Sequence, residues 1–275
     1  MTSDDLDLII ALVREHSGVV LRPDKAFFIE SRLAPVARRE KLPNVESLCA
    51  QLRQRPTAAL VQQVLEAVQQ QDTAFFRDRA VFKTLQTEAF PALAARRAEK
   101  RLSVLSLGCG TGQEAYSLAL LGQVLSPHES DIALSVVGAD LSERALQKAK
   151  AGVYTHFEVQ RGMPIRQLLR HFEKVEDNWR AAPQLRQAVT WRRVNLLRDI
   201  GELPVFDVIL CRNVISSFAP EAQMRVMEQI ERHLALDGIL VVGAKEVVSP
   251  PASFTRASDA EGVYVRNPAF ARAAA

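Results

Sequence analysis

"LSVLSLGCGTGQEAYSLAL", residues 102–120, reads as a strand, a glycine-rich turn and the start of a helix. Leu102, Val104, Leu105 and Leu107 make the short apolar run that a buried parallel strand carries. Gly108, Gly110 and Gly112 let the backbone turn sharply and approach a ligand closely. In open α/β sheets ligands bind beyond the carboxyl ends of the strands, so this turn is the first place to look for a site. Asp140 ends the next apolar run, "LSVVGAD", where a carboxylate can accept both hydroxyls of a ribose. Turn and acid together point to an adenosine-containing ligand.

The glycine spacing narrows the ligand. A dinucleotide fingerprint is G-x-G-x-x-G, with a helix N-terminus aimed at a pyrophosphate. Here the pattern is G-x-G-x-G, followed by Gln113 and Glu114. An acid at that helix start repels a pyrophosphate but suits a ligand carrying an amine and a sulfonium cation. S-adenosylmethionine is therefore favoured over a dinucleotide. On its own, Glu114 also fits an ordinary first-turn acid interacting with the helix dipole.

Working outward, short β-branched runs alternate with helical segments from about residue 101: "LSVVGAD", "FDVILCRN", "GILVVGA". That is the pattern of a mostly parallel sheet with helices on both faces. "SFTRASDAEGVYVRN" reads as two strands around "DAEG", a hairpin at the sheet edge. Residues 153–191 are too long for a simple connection and read as a helix followed by a small inserted β-subdomain at about 166–190. Residues 1–72 look all-helical: Leu6, Ile9, Ile10 and Val13 repeat at helical spacing, and Gly18 can close that helix. The expected domains are thus 1–72 and 73–275. Arg32, Arg38, Arg39 and Lys41 form a basic run, either a solvated helix face or a docking surface for an acidic partner.

Bulk properties exclude several classes. A chain of 275 residues, 48% hydrophobic, can build one large domain or two of ordinary size. The net charge of +3 is too small for the basic stripe expected of a nucleic-acid binder. No apolar run is long enough for a membrane span, and "MTSDDLDLII" has no basic n-region of a signal peptide. Cys49, Cys109 and Cys211 are widely spaced and read as small buried thiols of a cytoplasmic protein. The five histidines show no paired spacing, and no metal is expected.

With these pieces in place the chain resembles the CheR family of chemoreceptor glutamate methyltransferases. "TAFFRD" (73–78), "GCGTGQEAYS" (108–117), "GADLSERAL" (138–146), "FEVQRGMP" (157–164), "NLL" (195–197), "CRNV" (211–214) and "DGILVVGAKE" (237–246) stand in the family's order and spacing. The resemblance implies a Rossmann-like class I S-adenosylmethionine-dependent methyltransferase sheet. That sheet has seven strands with the last hairpin antiparallel, an N-terminal all-α domain and a small inserted β-subdomain. It implies methyl transfer to glutamate side chains of a chemoreceptor's cytoplasmic helical bundle, by a monomer recruited to receptor arrays, with S-adenosylhomocysteine as product. Nucleic acid and membrane insertion have no part in it.

Residue by residue, the resemblance implies that Gly108 and Gly110 shape the cofactor turn and that Glu114 holds the cofactor's amine. Asp140 takes the ribose hydroxyls, and Asn195 and Leu196 line the adenine pocket. Gln71, Thr73 and Arg77 border the site at the junction of the domains. Arg212 and Asn213 lie beside the methionine portion and the acceptor. Arg77 and Arg212 are the expected catalytic residues, and Arg32, Arg38 and Arg39 the docking residues. Arg77 also fits a salt bridge with Asp72 or Asp78. Some members bind a receptor C-terminal peptide on the inserted subdomain. "EKVEDNWRA" lacks the glycine-rich loop of that use, so no peptide tether is expected.

A glutamate, with a reference pKa of about 4.3, is ionised at neutral pH and needs no general base. That agrees with a motif set lacking a catalytic His, Cys or Ser. Two positions depart from the family: Gln71 where it usually has Asn, and Ser217 where it usually has a tyrosine near the transferring methyl. They keep open an alternative, a cofactor-binding scaffold or sensor with weak or no transfer. A small-molecule methyltransferase and a dehydrogenase fit the basic helical N-terminal region and the glycine spacing less well.

Overall fold

The computed structural model describes residues 1–69, 72–125, 132–198, 200–201, 203–244, 246, 248, 251–257 and 262–267. Two compact units emerge, Met1–Gln70 with Ser217–Arg225, and the remainder of the chain.

In the first unit α1, α3 and α4 each start at a side-chain cap. Thr2 accepts the Asp5 N–H while the Asp5 carboxylate accepts the Thr2 N–H, a reciprocal cap that opens α1 (Ser3–Ser17). Gly18, at φ 74°, closes it in the left-handed conformation. Next come α2 (Ala26–Arg39), then α3 (Val45–Gln54) capped by Asn44, and α4 (Ala58–Val68) capped by Thr57. Their apolar stripes meet in one core that includes Ile9, Val13, Ile29, Leu33, Leu48, Leu52, Val64 and Val68. Within this unit the Val20 N–H donates to the Ser217 carbonyl at 2.8 Å.

The second unit opens with α5 (Arg79–Thr84), which passes through a wide π-turn at Leu85–Ala89 into α6 (Phe90–Ala94). Then follow β1 (Arg101–Leu107), α7 (Gln113–Leu125), β2 (Ala133–Asp140) and α8 (Glu143–Ala151). A small subdomain comes next: β3 (Val153–Thr155), α9 (His156–Gln160), α10 (Ile165–His171), β4 (Phe172–Val175) and β5 (Asn178–Ala181). The chain returns through α11 (Pro183–Gln187) to β6 (Val189–Arg193) and β7 (Phe206–Leu210). It ends with the part of α12 (Pro220–His233) from Val226 onward, β8 (Leu234–Val241), β9 (Phe254–Arg256) and β10 (Val263–Arg266).

Among the described residues the main sheet has seven strands in the order β6-β2-β1-β7-β8-β10-β9. β1, β2, β6, β7 and β8 are parallel, and β10 pairs antiparallel with both β8 and β9. This is the expected class I sheet. Of the expected hairpin turn, residues 259–262, only Gly262 is described, left-handed at φ 77°; residues 258–261 lie outside the described residues. Strand order reverses between β1 and β7, so the topological switch point, where such sheets bind ligands, falls at the carboxyl ends of those two strands.

β3, β5 and β4 form a separate antiparallel sheet spanning residues 153–181, whereas the sequence pattern suggested an insertion at about 166–190. Residues 189–193 belong instead to the main sheet, beside β2. Aromatic packing fastens the small sheet. Phe75 meets Tyr154 and Phe172 edge-on at 5.1 and 5.7 Å between centroids. The Tyr154 hydroxyl donates to the Thr111 carbonyl at 2.7 Å, reaching the glycine turn itself. Gly162, at φ +106°, completes the joint, because a Cβ there would fall on the Phe75 carbonyl oxygen.

The amino ends of the central strands are clamped by charge. Arg97 donates to Asp207 at 2.7 Å and, through two nitrogens, to Asp237 at 3.0 and 2.8 Å. Asp207 also accepts the Ser103 N–H and hydroxyl at 2.8 and 2.9 Å, so β1, β7 and β8 share one polar knot.

Two outcomes follow from this packing. Gly162→Ala combines overpacking with a left-handed backbone and should cost about 3 kcal/mol or more, read as a fall in the urea midpoint. A variant as stable as the parent would show that the turn and Phe75 separate freely. The hydrogen bonds from Arg97 hold the Asp237 carboxyl below its usual value. Its stabilisation is therefore complete above the unfolded pKa of about 3.9 and is lost as pH falls through the lower folded value. The urea midpoint of Asp237→Asn should fall less steeply than that of the parent on acidification from pH ~5 to ~3; equal slopes would remove Asp237 from the acid sensitivity.

Candidate active site

The glycine turn between β1 and α7 takes positive φ at Gly108 (73°), Gly110 (55°) and Gly112 (94°). Space demands glycine as well at two of them. A Cβ on Gly108 would stand 2.5 Å from Val214 Cγ2, and one on Gly112 would stand 2.7 Å from the Trp191 ring. Asp140, at the end of β2, is buried. Its two carboxylate oxygens accept the backbone N–H groups of Gly110 and Ser142, each at 2.8 Å. These backbone bonds fix the orientation of the carboxylate.

Glu114 sits in the first turn of α7, and Arg212 follows β7. The five residues of β7 are all buried, and burial continues through Cys211 to Arg212, whose side chain is 1% exposed. A cation at such depth has to be answered by acceptors. Arg212 Nη1 donates to Glu114 Oε2 at 3.0 Å. Its Nη2 donates to Asp78 Oδ2 at 2.6 Å and to the Arg77 carbonyl at 2.9 Å. The guanidinium also lies 5.7 Å from the Phe82 ring centroid. Its buried Nε has no hydrogen-bond partner among the described residues. The other Glu114 oxygen accepts the Ser106 hydroxyl at 2.8 Å.

The "TAFFRD" stretch forms a tight loop before α5. Phe76 (φ 46°) and Asp78 (φ 58°) are both left-handed, a strain of about 1–3 kcal/mol each for a non-glycine residue. Surrounding bonds hold it. The Phe76 N–H donates to Ser117 Oγ at 2.9 Å, and that hydroxyl donates to the Gln113 carbonyl at 2.7 Å. Arg77, between the strained residues, is half-buried and donates to the Asp72 carbonyl at 2.8 Å. Its Nη1 lies 3.8 Å from the Asp72 carboxylate, which also accepts from Arg161 at 2.8 Å.

The structure thus brings Gly108, Gly110, Glu114, Asp140, Arg77 and Arg212 to the switch-point end of the sheet. Thr73 is half-buried at the start of the loop, and Gln71 lies outside the described residues. Asn195 and Leu196 follow β6, with Asn195 Oδ1 accepting the Leu197 N–H at 3.0 Å and Leu196 buried. Asn213 is exposed and left-handed at φ 59°. In the helical unit, Arg38 and Arg39 are exposed in the last turn of α2. Arg32 instead donates to the Gln69 carbonyl at 2.7 Å and stacks on Phe28.

Arg212 was expected beside the methionine portion and the acceptor; its buried guanidinium is committed to Glu114, Asp78 and the Arg77 carbonyl. Sequence reasoning gave Asp78 only a possible salt bridge with Arg77 and gave no role to Ser106, Ser117 or Glu246, though Ser117 and Glu246 stand inside quoted motifs. Glu246 accepts the N–H groups of Asn213, Ser216 and Gly243 at 2.8, 2.8 and 3.0 Å. The signal for Asp78 was an acid next to Arg77 together with a lone arginine at a strand end.

The chemistry of this donor set suits S-adenosylmethionine. Two carboxylates, Glu114 and Asp140, flank a glycine turn whose residues 108–112 include no lysine or arginine, the reverse of a pyrophosphate cradle. Burial pushes the Cys109 and Cys211 thiols well up; Asp140 and Glu114 add to this at Cys109, Glu246 and Glu114 at Cys211. Both therefore stay protonated at neutral pH and supply no nucleophile.

Comparison with known proteins agrees with this geometry. Residues 71–262 match the model of the CheR methyltransferase SAM-binding domain, and residues 4–68 match that of the CheR methyltransferase all-alpha domain. The chemotaxis protein methyltransferase Cher2 of Pseudomonas putida is 27% identical over 255 residues, covering 89% of this chain and 90% of that protein. Chemotaxis protein methyltransferase 1 of Pseudomonas aeruginosa is 29% identical over 255 residues, again covering 89% and 90%. The probable biofilm formation methyltransferase WspC of Pseudomonas aeruginosa is 35% identical over 189 residues, covering 68% of this chain and 44% of that protein. With both domains matched in order, the chain belongs to the CheR family of methyltransferases, enzymes that take S-adenosylmethionine as cofactor.

Proposed function

We propose that this enzyme methylates glutamate side chains of chemoreceptors or of related sensor receptors. The observation that carries the reading is the Glu114–Arg212–Asp78 chain, which ties the cofactor turn to the strained loop presenting Arg77. Two relatives are named for chemotaxis and one for biofilm formation, so the receptor's output is motility or a surface-growth response.

S-adenosylmethionine supplies an electrophilic methyl group, which passes from sulfur to a carboxylate oxygen and leaves a neutral ester and the thioether. Each residue then has a task that needs no proton transfer. Glu114, oriented by Ser106 and Arg212, receives the amine. Asp140 receives the ribose hydroxyls, and Asn195 and Leu196 border the adenine. Gly108 and Gly110 allow the close approach. Gln71 and Thr73 border the site, and Asn213 lies beside the methionine portion and the acceptor. Arg77 orients the incoming carboxylate by one edge and leaves the other oxygen to attack. Too firm a grip would lower that oxygen's nucleophilicity, and Arg77's partial exposure and its bond to a backbone carbonyl suit a light one. Arg212 acts one step back, as the residue that holds Glu114 and the Arg77–Asp78 turn in place. Alignment of oxygen, carbon and sulfur is the main contribution asked of the protein. Arg38 and Arg39 meet the acidic receptor surface.

A second reading, a cofactor-binding sensor with weak transfer, is favoured by Ser217, a short side chain where the family usually has tyrosine. In the structure the Ser217 carbonyl serves as a backbone acceptor for Val20.

Tritiated-methyl transfer to receptor-bearing membranes should give base-labile methyl esters; cofactor binding without such esters would leave the second reading standing. Arg77→Ala should lower kcat/KM about 100-fold while S-adenosylhomocysteine affinity changes less than about threefold. An equal loss of both would make Arg77 a cofactor residue. Paired Arg38→Glu and Arg39→Glu should raise KM for receptor about tenfold with kcat unchanged, and an unchanged KM would dismiss the docking role.

A further inference from the structure

One carboxylate at this end of the sheet is unused by the mechanism above. The β7–β8 ladder ends where the Cys211 N–H donates to the Val241 carbonyl at 2.8 Å. Beyond that bond the two strands diverge into loops, and their N–H groups need other acceptors. Glu246 provides them. Its Oε2 takes the Asn213 and Gly243 N–H groups, and its Oε1 takes that of Ser216. Backbone N–H groups around a left-handed residue form a concavity that an anion fills, and here the anion belongs to the chain itself.

The consequence falls on Asn213. It is left-handed at φ 59°, which asparagine tolerates but does not prefer over an extended backbone. Its side-chain amide rests against Gly243: a Cβ built there would stand 2.7 Å from Asn213 Nδ2 and 3.1 Å from Glu246 Oε2. Glu246 thus holds the backbone of Asn213 from one side, and the bare backbone of Gly243 seats its amide from the other. The geometry points to Glu246 as a positioning residue, which sets the place of the Asn213 amide at the methyl-transfer site. This rests on the reading that Asn213 borders the site.

Two substitutions perturb the arrangement by different routes. Glu246→Gln keeps the volume but turns an NH2 group toward N–H donors. Gly243→Ala keeps the carboxylate and pushes on the Asn213 amide, the movable end of a side chain. Gly243 is not left-handed, so alanine brings no backbone strain there. Both variants should weaken S-adenosylhomocysteine binding in calorimetry and lower single-turnover methyl transfer, each about tenfold. Both should also shift the Asn213 side-chain amide resonance, identified by its loss in Asn213→Ala. Asn213→Ala should show losses of similar size. In its background Glu246→Gln should then add less than about threefold, because the two residues act through one group.

Effects that multiply in the double variant would overturn the inference and reduce Glu246 to a loop brace. An unmoved Asn213 resonance in both single variants would overturn it too. If Asn213→Ala alone changes neither binding nor transfer, the assignment of Asn213 fails and this inference with it. If no receptor glutamate is methylated yet the coupling in S-adenosylhomocysteine binding is seen, the proposed substrate fails and the positioning role stands.

Discussion

A guanidinium that is 1% exposed has to be neutralised, and Arg212 is answered by Glu114, Asp78 and a main-chain carbonyl. Those acceptors come from the first turn of α7 and from the loop before α5, segments far apart in the chain. Their shared cation brings them to one point at the end of β7. Low polarity around the guanidinium strengthens each bond and makes any missing partner expensive, so the three segments hold or loosen together. The orientation of Glu114, the strained turn at Arg77 and the floor beneath both descend from this one buried charge.

The two ends of the sheet are closed by different means. At the amino end, side chain meets side chain, with Arg97 spanning Asp207 and Asp237. At the carboxyl end, beside the side-chain cluster around Arg212, two acids are satisfied by main-chain N–H groups: Asp140 by Gly110 and Ser142, Glu246 by Asn213, Ser216 and Gly243. A carboxylate held by backbone cannot rotate without opening the loop that holds it. The carboxyl end is accordingly held by bonds within the chain, which is what a methyl transfer relying on alignment needs.

Much of this was legible in the residues. The glycine turn, the strand-terminal Asp140 and the alternation of apolar runs with helices located the sheet and its ligand end, because period and turn chemistry are local signals. The helical character of the N-terminal region followed from the spacing of Ile9 and Val13 and from Gly18. The small sheet's limits were harder. Val189–Arg193 carries the same β-branched texture whether it pairs with β5 or with β2, and only tertiary pairing decides. The position of Arg212 was legible but its commitment was not, since Glu114 and Asp78 are 98 and 134 residues away. Glu246 gave no cue either, because a carboxylate that accepts backbone N–H groups looks in sequence like any surface acid.

The joint between Gly162 and Phe75 bears on how this chain can change over generations. The Phe75 carbonyl fills the place of a side chain at residue 162, and its ring is shared by Tyr154 and Phe172 of the small sheet. That sheet is therefore not a detachable cassette. A recombinant carrying another relative's insertion would bring a surface cut for a different loop, and the mismatch would reach Arg77 through its neighbour. Insertion and loop form one heritable unit, and change in the small sheet has to arise on its exposed positions, away from this seam.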